Sequence, residues 1–281
     1  MNPLLEKVAL SEKRKSFKFF NVEVQRFEPF WHYHPEIELT LIQKGSGTRF
    51  VGDSILPFEE LDLVLIGENV PHHWISIAED ETQTHKAFVL QFDKDTFKVF
   101  PECSEFEDLF DKANKGIHFN KPSKHLISEI TNFEYLSETE QLSKLLLILH
   151  RLCGDRNQHI LSSKVKQVSS KNGASQNKIS KTTNYILENL DKKLTVQHMA
   201  DFTHMVPQSF CRWFKAHSGH SFVTFLNITR IEQACHYLLT TNLSIQHIAF
   251  SCGFESISHF NRTFLRLKEV SPRGYRKLNM V

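Results

Sequence analysis

The stretch "LSIQHIA", Leu243–Ala249, repeats "LTVQHMA", Leu194–Ala200, and this repeat decides how the C-terminal third of the chain folds. Each copy opens on a residue whose hydroxyl can accept from the backbone N–H groups of a first helical turn, Thr195 and Ser244. Val196, Met199 and Ala200 then fall on one helix face, as do Ile245, Ile248 and Ala249. A turn and a second helical run follow each copy: "HMVPQSFCRWF" (His204–Phe214) and "CGFESISHFNRTF" (Cys252–Phe264). Both runs contain F-x-R-x-F, as Phe210, Arg212, Phe214 and as Phe260, Arg262, Phe264. The phenylalanines, four apart, bury together, so the arginine between them must face away. A short helix, a tight turn and a second helix with a polar outer face make a helix-turn-helix, and here there are two in tandem. Between them "SFVTFLNITRIEQACHYLLTT" (Ser221–Thr241) is apolar at helical spacing through Phe222, Phe225, Ile228, Ile231, Ala234, Cys235 and Leu238. It reads as one long helix holding the two units apart. At a separation of about 34 Å, both second helices would enter successive major grooves of one duplex.

Charge points the same way. The whole chain is only +2, but residues 1–163 carry 18 basic against 26 acidic side chains, whereas 164–181 hold five lysines and no acid, and 182–281 hold 11 basic against six acidic. A basic C-terminal part on an acidic remainder favours a polyanionic partner there.

At 281 residues the chain has room for about two domains. Residues 20–100 read as β structure: "EIELTLIQ" (Glu36–Gln43), "LDLVLIG" (Leu61–Gly67), "HWISIA" (His73–Ala78) and "KAFVLQF" (Lys86–Phe92) alternate or are β-branched, with turn signals between them, which suggests a sandwich or a small barrel. Leu126, Ile130, Phe133 and Leu136, then Leu142, Leu145, Leu146, Leu149 and Leu152, mark two amphipathic helices joined near Ser137. Leucine stripes between two domains either cover the β domain or form a subunit interface; the second reading predicts a homodimer. "SSKVKQVSSKNGASQNKISK" (Ser162–Lys181) is polar and basic and reads as a flexible linker. The expected organisation is a sensing β domain over 1–105, a helical dimerisation segment over 106–161, the linker over 162–181 and a DNA-binding domain over 182–281. The longest apolar run, "LLLIL" (Leu145–Leu149), is too short to span a bilayer, and the N-terminal residues lack the apolar core of a secretory signal. No membrane partner is expected. Five scattered cysteines suit free thiols in a cytoplasmic protein.

On "LTVQHMA", "RWF", "GHSF" (Gly219–Phe222), "RIEQACHYLLTTNLSIQHIAFSCGFESISHFNRTF" and "SPRGYR" (Ser271–Arg276), residues 182–281 resemble the AraC/XylS family of bacterial transcription regulators. The resemblance implies seven helices with two helix-turn-helix units, double-stranded DNA as partner, RNA polymerase as a further one, and a bias toward activation. It places base contacts at Gln208, Cys211, Arg212, Ile257, Ser258 and Arg262. The outward faces also offer Ser209, Ser256, His259 and Asn261, while Lys215 and Arg266, with Lys268, Arg273 and Lys277, suit phosphates or solvent. The chain departs from the family pattern at His204 and Val206, where the first turn usually has Gly and Ser, and at Glu269, where Gly is usual.

"HYHPEIELTLIQKG" (His32–Gly45) fits H-x-H-x3-E-x6-G, and "GENVPHHW" (Gly67–Trp74) follows. These resemble the two cupin motifs, which implies a β-barrel with His32, His34, Glu38 and His72 converging inside it. Three imidazoles and a carboxylate suit a divalent transition metal. The same side chains could instead bind a small polar effector, with Trp31 and Trp74 as an apolar wall, or be structural. The overall fold class is α+β and multidomain. Two functions fit: an effector-responsive DNA-binding regulator, which is not an enzyme, or a cupin metalloenzyme (isomerase or dioxygenase) with a helical appendage.

Overall fold

The computed structural model of the chain describes residues 16–27, 31–76, 84–163 and 173–278. The strands are β1 (Phe17–Val24), β2 (Ile37–Lys44), β3 (Gly47–Val51), β4 (Ser54–Phe58), β5 (Asp62–Ile66), β6 (His72–Ser76), β7 (His85–Phe92), β8 (Ile117–Phe119) and β9 (Gln158–Ile160). They form a six-stranded sheet in the order β1-β7-β2-β5-β8-β9 and a three-stranded sheet in the order β4-β3-β6. Paired strands run antiparallel throughout. The expected closed barrel is therefore corrected: these are two open sheets, because no ladder joins them among the described residues. They pack through Ile42, Val64, Ile66 and Ala87 on one side and Val51, Phe58 and Trp74 on the other.

The two-residue period of β2 organises this domain. Ile37, Leu39 and Leu41 face one way, into a core with Leu63, Leu65, Leu90 and Phe92. Three helices close that face: α1 (Phe106–Ala113), α2 (Lys124–Thr131) and α3 (Glu138–Gly154). Glu38, Thr40 and Ile42 face the other way, toward the small sheet. α3 starts where the sequence reading joined its two helices, on a capping box in which the Ser137 N–H donates to Glu140 at 2.8 Å.

The leucine stripes that suggested a subunit interface are used within the chain. Leu126, Ile130, Phe133, Leu145, Leu149 and Leu152 are buried against the chain's own large sheet. An amphipathic stripe reports that a face is buried but not which partner buries it. Leu147 and Tyr135 stay exposed.

The linker expectation is also revised at both described ends. Ser162 is buried, and its hydroxyl donates to Asp53 Oδ1 at 2.6 Å; the Ser163 hydroxyl donates to Asp53 Oδ2 at 2.6 Å. Helix α4 (Gly173–Glu188) already runs through the second half of the supposed linker. Its buried face, Ile179, Thr182, Thr183 and Ile186, straddles the boundary drawn at 181, which is why composition up to that point looked too polar to fold. Residues 164–172 lie outside the described residues.

The C-terminal domain continues with α5 (Val196–Phe202), α6 (Pro207–Ser218), α7 (Phe222–Thr240), α8 (Ile245–Ser251), α9 (Ile257–Lys268) and α10 (Pro272–Leu278), seven helices with α4. The repeated heptads form α5 and α8. Thr195 Oγ1 accepts from the His198 N–H and Ser244 Oγ from the His247 N–H, each at 3.1 Å. α7 spans two cores. Phe222 and Phe225 join Met199, Ala200, Phe210 and Phe214, while Ile231 and Leu238 join Ile248, Ala249, Phe260 and Phe264.

The turns of the two copies differ where the family pattern is broken. Gly253 has φ +76°, and His204, its counterpart in the repeat, is forced to φ +53°. A Cβ in this left-handed region costs about 1–2 kcal/mol. His204→Gly is therefore expected to stabilise the domain by about 0.5–1 kcal/mol after allowing for the extra freedom of the unfolded chain. Val206 caps α6 without a side-chain hydrogen bond, whereas Ser256 Oγ at the start of α9 accepts from the His259 N–H at 3.2 Å. Val206→Ser should add about 1 kcal/mol. Thermal melts of the two variants check both values; an unchanged or lowered melting temperature contradicts them.

Candidate nucleic-acid interface and ligand cavity

α6 and α9 each bury their two phenylalanines and leave the opposite face to solvent. Phe210, Phe214, Phe260 and Phe264 are fully buried. Gln208, Cys211, Arg212 and Lys215 on α6 are exposed, as are Ser256, Ser258, His259, Asn261, Arg262 and Arg266 on or before α9. Ser209 and Ile257 are half-buried, and Ile257 packs against the second core. The sequence reading thus placed the outer faces correctly, apart from these two partly occupied positions. It missed Val206, 62% exposed at the start of α6 and available to an apolar edge. Lys268 is corrected: its Nζ donates to both carboxylate oxygens of the buried Glu232 on α7, each at 2.8 Å, so it braces α9 rather than serving a phosphate. Arg276 likewise ties α10 to the chain, donating to the Leu238 and Leu243 carbonyls at 3.1 and 2.8 Å.

A cavity of about 370 Å³ lies between the two sheets. Phe20, Val22 and Val24 of β1 form one wall through the alternation of that strand, and Trp74 of β6 faces them. Glu38 and Thr40 of β2, with His32, provide the polar floor, and Arg26 stands at the exposed side. Of the six residues predicted to bind an effector, His32, Glu38 and Trp74 line the cavity. His34 and His72 sit behind Glu38. Trp31 is corrected: it is 5% exposed and packs outward against Phe50 and His73, not into the cavity. The sequence reading missed the β1 residues, although "FNVEV" (Phe20–Val24) alternates.

His32, His34, Glu38 and His72 present ligand atoms that all lie within 4.8 Å of one another. The tautomers are informative. His34 Nδ1 sits 3.0 Å from the Glu36 carbonyl and His72 Nδ1 2.8 Å from the Val70 carbonyl, so each Nδ1 carries a proton and donates it. A neutral His34 then points an Nε2 lone pair at Glu38 Oε2, 2.9 Å away, and His72 points one at Glu38 Oε1, 3.5 Å away. Those contacts attract only if a positive charge is shared among them, either as protons on Nε2 or as a metal ion. Imidazoles anchored to backbone carbonyls with Nε2 turned inward are also what a metal site requires. Burial alone would raise the Glu38 carboxyl, but the charge of His72 and the hydrogen bond from His34 hold it well below the ordinary carboxylate range. Thr40 and Gln91 complete its shell, the hydroxyl donating at 2.6 Å and the amide at 3.0 Å. Gln91 is a further residue that the sequence reading passed over.

The small sheet has a second face. The Trp74 indole N–H donates to Asp62 Oδ2 at 3.2 Å, and Arg49 of β3 pairs with the other oxygen of Asp62. Burial works against the Asp62 carboxylate, but the hydrogen bond from His118 and the charge of Arg49 keep its pKa below the usual value. The neighbours of these two residues, Phe50 on β3 and His73 on β6, point to the opposite side. There Phe50 meets Phe225 of α7 at 6.0 Å between ring centroids.

Residues 199–278 match the family model described as a helix-turn-helix domain. The C-terminal region of this chain is an AraC-type helix-turn-helix domain. The chain is similar to YobQ, an uncharacterized HTH-type transcriptional regulator of Bacillus subtilis, which is 30% identical over 92 residues, 33% of this chain and 38% of YobQ. The chain thus spans well under half the length of that relative. YfiF, another uncharacterized HTH-type transcriptional regulator of Bacillus subtilis, is 26% identical across 96% of this chain and 86% of its own length. Among solved structures, the C-terminal domain of AraT, a response regulator from Geobacillus stearothermophilus, is 30% identical with a TM-score of 0.36, covering 37% of this chain and 87% of that one. YobQ and YfiF are both named as transcriptional regulators. No helix among the described residues is long and apolar enough to cross a membrane.

Proposed function

We propose that the chain is a sequence-specific regulator of transcription, an activator working in the cytoplasm, that reads double-stranded DNA with α6 and α9 and binds a small-molecule effector between its two sheets. The observation that carries this reading is the matched pair Arg212 and Arg262, both exposed on helices whose flanking phenylalanines are fully buried. Arginine can fork onto guanine O6 and N7, and Gln208 can do the same for adenine N6 and N7. Lys215 and Arg266 are placed to hold phosphates, which fixes register without reading sequence. The names of YobQ and YfiF support the reading, and RNA polymerase is the further partner it entails. The full chain should shift DNA from its own upstream region, with affinity falling steeply as salt rises because phosphate contacts release counterions. A chain that binds none of those fragments in a salt-dependent way would sink the proposal.

A homodimer would use what the packed helices leave exposed, Leu147 and Tyr135. Sedimentation of the full chain decides this, a monomer at high micromolar concentration ruling it out.

The four-residue cluster at the cavity floor fits a divalent transition metal held by His32, His34, Glu38 and His72. Bound there, the ion would supply the positive charge that Glu38 and the two inward lone pairs call for, and a Lewis-acidic contact for an effector's oxygen or nitrogen. The purified chain is expected to take up one equivalent of zinc or nickel ion and to melt lower after chelation. His72→Ala should abolish both effects. Chelator-insensitive melting with no metal retained would leave protonated imidazoles as the source of that charge.

A further inference from the structure

The small sheet is a single layer with the cavity on one side and the AraC-type domain on the other. On its outer face Trp31, Phe50 and Ile55 merge with Ile179, Phe214, Phe222 and Phe225 into one apolar core. The core of the second helix pair, around Phe260 and Phe264, is separate. The β3–β4 turn fastens this contact. The Asp53 carbonyl accepts from His220 Nε2–H at 2.7 Å, while the Asp53 carboxylate holds Ser162 and Ser163, where the chain leaves the β domain.

The junction is not well satisfied. His73 is 2% exposed, and neither ring nitrogen has a hydrogen-bond partner. It borders a void of about 10 Å³ shared by Trp31, Phe50, Thr183, Ser218 and Phe225. A buried imidazole without partners opposes docking, whereas the aromatic packing favours it. An interface with opposed contributions can be moved by a modest change on its other face. On that other face stand Trp74, which lines the cavity, and Arg49, which is joined to it through Asp62; His73 itself also borders the cavity.

We propose that the small sheet couples the cavity to the first helix pair: an occupant pressing on Trp74 displaces β3 and β6, and Phe50 and His73 then loosen their hold on α7. This rests on the cavity being the effector site, and the test needs neither effector nor DNA. Ala87 faces the cavity from β7, so Ala87→Phe in the full chain serves as a built-in occupant. Amide hydrogen exchange reads the outcome. Residues 220–226 should exchange about tenfold faster in Ala87→Phe, with residues 257–264 unchanged, because local opening reports local stability. His73→Phe, which removes the unpaired nitrogens and fills the void, should slow exchange at 220–226 and suppress the effect of Ala87→Phe in the double variant. Unaltered exchange at 220–226 in folded Ala87→Phe would overturn the coupling, and so would equal loosening of both helix pairs. If Ala87→Phe does not fold, Ala87→Leu serves as the smaller occupant and is read in the same way. Failure of DNA binding by the wild-type chain would remove the regulator reading and leave this result standing.

Discussion

Gly253→Ala is expected to unfold the second helix pair at growth temperature. Gly253 sits at φ +76°, where an L side chain costs about 1–2 kcal/mol. The larger cost is steric. A Cβ there would overlap the Leu190 carbonyl oxygen and come within 2.7 Å of an Arg230 guanidinium nitrogen. Neither can yield cheaply. Leu190 follows α4, and Arg230 is a buried residue of α7 whose Nε and Nη2 donate to the Leu190 and Lys192 carbonyls at 2.9 and 2.7 Å. Moving the guanidinium would strand a buried cation and two carbonyls. The sum is expected to exceed about 3 kcal/mol, in the range reserved for strain combined with a broken buried network. The full chain should then melt with an early transition, lose specific DNA binding, and still take up metal at the cavity floor. A change within about 0.5 kcal/mol would mean that the turn relaxes in a way this geometry does not allow. His204→Ala should by contrast cost little, since that turn already accommodates a side chain at φ +53°.

This contrast bears on what the sequence could reveal. The tandem units were legible because their code is local: cap, apolar face, turn, and phenylalanines four apart. The caps reappear at Thr195 and Ser244, and Phe210, Phe214, Phe260 and Phe264 are buried as expected. The β domain was legible as strands but not as architecture, because whether sheets close depends on long-range edges that a two-residue alternation does not encode. The same limit explains the leucines of α2 and α3 and the face taken by Trp31. Periodicity says that Leu145 is buried and that Trp31 and His32 point oppositely, but not which neighbour waits on either side. His73 and Gln91 were passed over for a related reason. One stands next to a more conspicuous histidine, and the other lies 53 residues from the Glu38 it serves.

Arg262→Ala should cost about 1–3 kcal/mol of specific binding and relax sequence preference at one base pair. The case is stronger here than at Arg212, because α9 begins on a capped Ser256 after a relaxed Gly253, while α6 follows a strained His204 and an uncapped Val206. A better-fixed helix holds its long side chain closer to the productive geometry, so removing that side chain forfeits more. Arg212→Ala is accordingly expected to lose less than Arg262→Ala. Lysine should not rescue position 262, because a single ammonium cannot fork onto two acceptors of one guanine. Lys215→Ala provides the contrast: it should weaken binding to all sequences alike and reduce the slope of log affinity against log salt by about 1. Binding isotherms on the operator and on single-base variants, each at several salt concentrations, separate the two roles. If Arg262→Ala weakens every sequence equally and lowers the salt slope, Arg262 holds a phosphate, and the base reading by α9 must come from Ser258, His259 and Asn261.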